Sequence, residues 1–224
     1  PLDTAVGGER TTVQLVDVER TAPGEYRFGF SRLKRWIDLA LASGIEYFEM
    51  SHLFTQWGAQ HAPKIMASTE NGAYERIFGW ETDAAGPEYR RFLESFLPEL
   101  VKFLKAEGIA ERCWFHVSAE PHLRDLESYR KASGIVRELL PDFPVLDALS
   151  DFDFYKLGLV PRPVPASNHI EPFLEGGLKD LWTYYCCGQY KGTSNRFFNM
   201  PSARTRVRSA HVSSPVTPVL PPKN

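Results

Sequence analysis

The sequence has little cysteine, no long apolar run and no surplus of either charge. Three cysteines, with Cys186 and Cys187 adjacent, cannot build a disulfide framework, because neighbouring residues do not reach bridging geometry with each other. Lys plus Arg number 26 against 28 Asp plus Glu, a net charge of -2, so no global basic field exists to hold nucleic acid or an anionic membrane surface. No apolar stretch approaches the roughly 18 residues that span a bilayer. Gly176 and Gly177 fit neither the dinucleotide nor the Walker glycine spacing, which removes the usual signs of a nucleotide cofactor. His52, His61, His116 and His122 lack a compact zinc spacing. No cofactor, metal, nucleic acid or membrane is therefore expected. The chain opens at Pro1 with no initiator Met, charged n-region or apolar h-region, from which a removed segment or a fragment is expected.

What is present describes a folded domain. Hydrophobic residues make up 43% and charged residues 24% of 224, ordinary globular usage in a chain long enough to bury a core. Aromatics reach 13%, and flat rings serve both cores and sugar platforms.

Helix and strand signals alternate. Leu33, Trp36, Ile37, Ala40 and Leu41 keep one apolar helix face over 31–43, with Gly44 as the stop, and a short strand follows over 45–51. The series Tyr89, Phe92, Leu93, Phe96, Leu97, Leu100, Val101 and Leu104 predicts a long helix kinked at Pro98, then a strand over 113–117. A third helix begins near Pro121 and runs to about Leu140, before strands over 145–149, 164–167 and 181–186 and a helical patch at 173–178. This order implies parallel pairing and an α/β architecture. About five strands are countable where a (β/α)8 TIM-type barrel needs eight, so the expectation is an open sheet or a partial barrel. The long connection 51–86, with His52, Phe54, Gln56, Trp57, His61 and Trp80, is read as a binding loop. Residues 1–206 form the expected domain. The Pro/Ser-rich stretch 207–224 is expected to be a disordered tail.

In parallel α/β folds chemistry gathers just past the strand ends. That rule selects Glu49, His52, Ser118, Ala119, Glu120, Asp151, Asp153, Asn168, His169, Tyr184, Tyr185 and Cys186. Carboxylates, amides and rings together suit a carbohydrate. Glu120 ends an apolar strand and precedes Pro121; it reads either as a general acid or as a cap complementing the dipole of the next helix. Cys186 reads as a small buried hydrophobe as readily as a nucleophile.

Three stretches read together are familiar: YFEMSHLFTQWGAQHAPK over 47–64, FHVSAEPHLRDLESY over 115–129, and DLWTYYCCGQYKGTSNRFFNMPSAR over 180–204. Over about 26–206 the chain resembles the catalytic domain of glycoside hydrolase family 123, the β-N-acetylgalactosaminidase-like group. The resemblance implies a (β/α)8 barrel and retaining hydrolysis of a terminal β-linked N-acetylgalactosamine, or more broadly an N-acetylhexosamine, on a glycan. Substrate assistance is implied, in which the 2-acetamido oxygen attacks the anomeric carbon, an Asp orients that group and the following Glu is the acid/base. It further implies a sugar pocket lined by His52, Gln56, Trp57, Trp182, Tyr184, Tyr185 and Asn195. Alternation along the strand puts Trp182 and Tyr184 on one face and Tyr185 on the other, so one face must be structural.

The family carries Asp-Glu-Pro at the strand end, and this chain carries Ala119-Glu120-Pro121. The acid/base carries over to Glu120, while a methyl group stands where the orienting carboxylate is expected. The resemblance thus implies an impaired hydrolase, or a carbohydrate-binding protein without catalysis.

Overall fold

A computed structural model describes residues 13–184 and the backbone of 208–210. Two sheets carry the fold. In the first, β1 (Asp17–Ala22) and β2 (Glu25–Gly29) form one antiparallel hairpin, and β4 (Ile65–Thr69) and β5 (Tyr74–Phe78) form another. The hairpins join through parallel pairing of β1 with β4, Glu19 opposite Ser68. The second sheet is parallel, in the order β3 (Phe48–Glu49), β6 (Cys113–Ala119), β7 (Val145–Ala148), β8 (Arg162–Val164). A parallel bridge between Ala166 and Tyr184 continues it to β9 (Trp182–Tyr184), which pairs with β10 (Arg208–Ala210). Among the described residues this sheet is open. β10 falls inside the stretch expected as a structureless tail.

The helices follow their apolar periods. α1 (Ser31–Ala42) buries Leu33, Ile37 and Ala40 and stops where Gly44 takes φ 84°, a left-handed conformation that costs glycine nothing. α2 (Pro87–Ala106) starts with Pro at its first position and buries Tyr89, Phe92, Leu93, Leu97, Leu100 and Leu104. It runs through Pro98 as one helix. Its aromatic face packs on the first sheet, with Phe92 edge-on to Tyr26 at 5.1 Å and to Phe78 at 5.3 Å. α3 (Leu126–Leu139) packs Tyr129, Ala132, Ile135 and Val136 inward, and α4 (Phe152–Tyr155) and α5 (Glu171–Glu175) are short. No helix among the described residues is long and apolar enough to cross a membrane.

The connection 51–86 differs from the sequence expectation. Its second half is the β4–β5 hairpin, closed by Asn71 and Gly72, with Gly72 at φ 78° and Thr69 N–H donating to Ala73 O at 2.9 Å. Only its first half approaches the strand ends of the parallel sheet. Phe54 is fully buried and packs edge-on to Tyr89 at 5.7 Å, so it belongs to the core. His61 and Trp80 pack on each other at 5.7 Å.

Candidate active site

β6 alternates between two environments. Cys113, Phe115 and Val117 enter the core beneath the helices, which directs Trp114, His116 and Ser118 to the opposite face. The ladder to β7 then slips: His116 pairs with Leu146, but Ala119 pairs with Ala148. One extra residue on β6 makes a bulge, a device that re-aims the side chains following it. Side chains replace the lost ladder bonds. Ser118 N–H donates to Asp147 Oδ1 at 3.1 Å, and Ala148 N–H donates to His116 Nε2 at 3.3 Å.

Immediately past the bulge, Glu120 adopts φ 49° and its N–H donates to Ala148 O at 2.7 Å. A non-glycine residue in the left-handed region is uncommon and persists where its surroundings fix it. The surroundings here are three donors. Ser150 N–H donates to Glu120 Oε2 at 2.9 Å, Ser150 Oγ–H donates to Oε1 at 2.8 Å, and the Tyr184 hydroxyl also donates to Oε1. Ala166 N–H donates to Ser150 Oγ at 3.1 Å. The C-terminal ends of β6, β7 and β9 thus meet on one half-buried carboxyl, with the segment after β8 joined to it through Ser150. Capping of the following turn falls to Asp125, whose Oδ2 accepts from His122 N–H at 3.1 Å; Glu120 is turned towards Ser150 and Tyr184.

The segment after β3 lies along the end of β6. Met50, Leu53, Phe54 and Trp57 donate their N–H groups to the carbonyls of Trp114, His116, Val117 and Ala119. This places Trp57 beside Ala119, the residue 43% exposed and its backbone at φ 58°. Gln56 is half-buried on the same turn. Ser118 Oγ donates to Thr55 O at 2.7 Å and Ser128 Oγ to Gly58 O at 2.6 Å, fixing the turn from two elements. Ala119 is itself buried.

Further down the strands is a polar layer. Glu49 Oε1 lies 3.2 Å from His116 Nδ1, and His116 Nε2 lies 3.5 Å from Asp147 Oδ1. The Tyr129 hydroxyl donates to Asp147 Oδ2, and the His52 ring sits 4.4 Å from that of His116. Burial governs the charges. It lifts the Glu49 carboxyl to about 7, holds Asp147 well above the carboxylate range, lowers His52 to about 4 and keeps His116 well below the imidazole range. His116 accepts at Nε2, so its neutral ring carries the proton on Nδ1 and faces Glu49. The contact is off the hydrogen-bonding line, and His116 Nδ1, His52 Nδ1 and Trp114 Nε1 are buried without a hydrogen-bond partner.

Of the residues selected from sequence, the structure brings Glu120 and Tyr184 together, with Ala119 and Trp57 alongside and Gln56 on the same turn. His52 sits with His116 in the lower layer. Trp182 shares a strand with Tyr184 but packs on Trp114, ring centroids 5.4 Å apart, with the Arg162 guanidinium 4.7 Å from the Trp114 ring. Tyr185, Cys186 and Asn195 lie outside the described residues. Asp151 caps α4 through Phe154 N–H at 2.9 Å. Ser150 and Asp147 were not selected. Ser150 directly follows a predicted strand and could have been found by the strand-end rule, whereas Asp147 lies within a strand and gives no such signal. No group of three or more His, Cys, Asp or Glu able to hold a metal ion occurs among the described residues.

Comparison with known proteins agrees with this geometry at the level of family. No curated protein matches the sequence. Among solved structures, a family 123 glycoside hydrolase from Clostridium perfringens, described for its glycolipid glycan hydrolysis, superposes with a TM-score of 0.55 at 15% sequence identity. The match covers 80% of this chain and 33% of that one, so the chain spans about a third of its length. At that identity the likeness is one of fold. The sequence profile described as glycoside hydrolase 123, catalytic domain, matches residues 1–214, and on that match the chain belongs to the glycoside hydrolase 123 family.

Proposed function

We propose that this domain acts on a glycan ending in a β-linked N-acetylhexosamine, N-acetylgalactosamine first, through a retaining, substrate-assisted reaction with Glu120 as acid/base. The observation that carries the reading is the half-buried Glu120 carboxyl at the joint end of β6, β7 and β9, held by Ser150 and Tyr184. The described parallel strands are then a contiguous part of a (β/α)8 TIM-type barrel. The sugar's 2-acetamido oxygen attacks the anomeric carbon while Glu120 gives its proton to the departing oxygen; Glu120 next takes a proton from the water that opens the cyclic intermediate. No second protein carboxylate acts as nucleophile, unlike the usual paired arrangement. Trp57 and Tyr184 supply rings for the sugar, with Gln56, Trp182, Tyr185 and Asn195 contributing by resemblance. A glycolipid glycan, the substrate class named for the clostridial relative, is a suitable first glycan.

Ala119 limits the rate. Its methyl cannot accept the acetamido N–H or stabilise the charge that develops on ring closure, and loss of such an electrostatic partner costs about 10²- to 10³-fold. The same residue favours a second reading, a carbohydrate-binding domain without catalysis. Ala119→Asp in the full chain, assayed on a chromogenic β-N-acetylgalactosaminide, separates the two. Cleavage should rise by about 10²-fold, and no rise would count against the mechanism; in that active background Glu120→Gln should abolish turnover of substrates with poor leaving groups. Calorimetry with N-acetylgalactosamine and its thiazoline analogue adds a check, since a catalytic pocket prefers the transition-state-like ligand; equal affinity supports the binding domain.

A further inference from the structure

We propose that Ser150 is the positioning residue of Glu120, and that it makes Oε2 the oxygen that exchanges a proton with substrate. The inference rests on the acid/base reading of Glu120 but concerns a residue which that reading leaves unassigned. Ser150 grips both carboxyl oxygens, donating its N–H to Oε2 at 2.9 Å and its hydroxyl proton to Oε1 at 2.8 Å. The direction of that hydroxyl is fixed from behind. Ala166 N–H, past the end of β8, occupies Ser150 Oγ as an acceptor at 3.1 Å, so the hydroxyl's one proton points at Glu120.

The two oxygens are then unequal. Oε1 accepts from both Ser150 Oγ and the Tyr184 hydroxyl, which uses its two lone pairs. Oε2 accepts from Ser150 N–H alone among the described residues and keeps a lone pair. A proton placed on Oε1 would expel a donor, whereas one on Oε2 expels none. In the first step the Oε2–H bond breaks, the proton goes to the glycosidic oxygen, and the C1–O bond pair leaves with that oxygen as the acetamido oxygen bonds to C1. In the second, Oε2 recovers a proton from water while the water oxygen bonds to C1 and the C1–O bond to the acetamido oxygen breaks, its electron pair returning to the neutral acetamide. Charge and atoms balance without a further reactant.

Ser150→Ala keeps the backbone donor and removes the hydroxyl, and Ser150→Thr restores it. In the full chain carrying Ala119→Asp, Ser150→Ala should lower kcat about 10- to 100-fold on substrates with poor leaving groups, the scale of a misplaced catalytic group. It should leave KM on those substrates, and kcat/KM for strongly activated aryl glycosides, little changed, because a good leaving group departs without a proton. Ser150→Thr should recover most of the loss, and Tyr184→Phe should give the same leaving-group dependence. A loss equal for all leaving groups, or unrescued by Thr, makes Ser150 merely structural and overturns the proposal. An unaffected Ser150→Ala enzyme whose Glu120→Gln counterpart is dead overturns it while sparing the acid/base reading. If Glu120→Gln is also fully active, that reading fails and this one with it. Crystal structures of the chain with and without Ser150→Ala test the positioning independently of turnover. The Glu120 carboxyl should leave its site in the variant, and an unmoved carboxyl refutes the proposal.

Discussion

Glu49 and His116, on the neighbouring parallel strands β3 and β6, face each other with 3.2 Å between Oε1 and Nδ1. Burial lifts Glu49 from 4.5 to about 7, so the folded state holds a proton that the unfolded chain releases. Its stabilising contribution is therefore complete below about pH 4.5 and is lost as the pH rises through about 7. His52 behaves oppositely. Burial lowers it from 6.5 to about 4, so its contribution is complete above about pH 6.5 and is lost as the pH falls through about 4. Glu49→Gln should remove the alkaline-side loss alone. Solvent reaches a third of the Glu49 side chain, which discounts the gain over wild type at about pH 8 to about 1–2 kcal/mol. Urea unfolding at about pH 5 and about pH 8 measures it, and parallel pH profiles for the two proteins would refute the assignment.

Asp147 is the knot of the same layer. It is fully buried, accepts from Ser118 N–H across the β6 bulge and takes the Tyr129 hydroxyl on its other oxygen. Tyr129→Phe removes one donor from a buried carboxyl, a loss of about 1–3 kcal/mol. Asp147→Ala strands Ser118 N–H and the Tyr129 hydroxyl together and should cost more. Calorimetric Tm values test the order: wild type above Tyr129→Phe above Asp147→Ala. A Tyr129→Phe protein as stable as wild type would mean the hydroxyl contributes nothing to the bulge.

The α/β alternation was legible because Leu33, Ile37 and Ala40, and Tyr89 through Leu104, repeat at helical spacing in segments long enough to average out noise. The parallel strands were legible from the short apolar runs between them. The first sheet was not assigned, although its turns carry recognisable dipeptides, Pro23-Gly24 between β1 and β2 and Asn71-Gly72 between β4 and β5. Its strands are half-exposed and polar, Glu-Tyr-Arg-Phe-Gly in β2 and Tyr-Glu-Arg-Ile-Phe in β5, so apolar content alone passes over them where turn chemistry would not. In the site, Glu120 was legible from its place at a strand end. Its hold on Ser150 was not, since it depends on a one-residue register shift between β6 and β7 that leaves no mark in either strand's pattern.

Gly58 makes the turn beside the site possible. It sits at φ 111°, and a Cβ there would lie 2.6 Å from Asp125 Cγ and 2.7 Å from Asp125 Cβ. Asp125 cannot retreat without releasing His122 N–H. Gly58→Ala therefore combines an unfavourable backbone with a collision and should destabilise by about 1–3 kcal/mol. Sugar affinity should fall with it, because the turn carries Trp57. A variant with unchanged unfolding midpoint and unchanged N-acetylgalactosamine affinity would show that the turn is not constrained by Asp125.

Trp57 offers the cleanest separation of binding from stability. Its backbone N–H donates to Ala119 O at 2.9 Å, while the residue stays 43% exposed. Trp57→Ala keeps that backbone bond and deletes the ring. If the ring forms one wall of the sugar site, affinity for N-acetylgalactosamine should weaken about 10-fold, equivalent to about 1.4 kcal/mol. The unfolding midpoint should fall less than for a fully buried core ring, since 43% of the residue is already in solvent. Trp57→Gly tests the other half of the argument. At φ 58° an L side chain strains the left-handed backbone by about 1–2 kcal/mol. Glycine should therefore raise stability above the alanine variant while binding sugar equally poorly. Equal affinity of wild type and Trp57→Ala in calorimetry would remove the ring from the site and leave Trp57 a turn residue only.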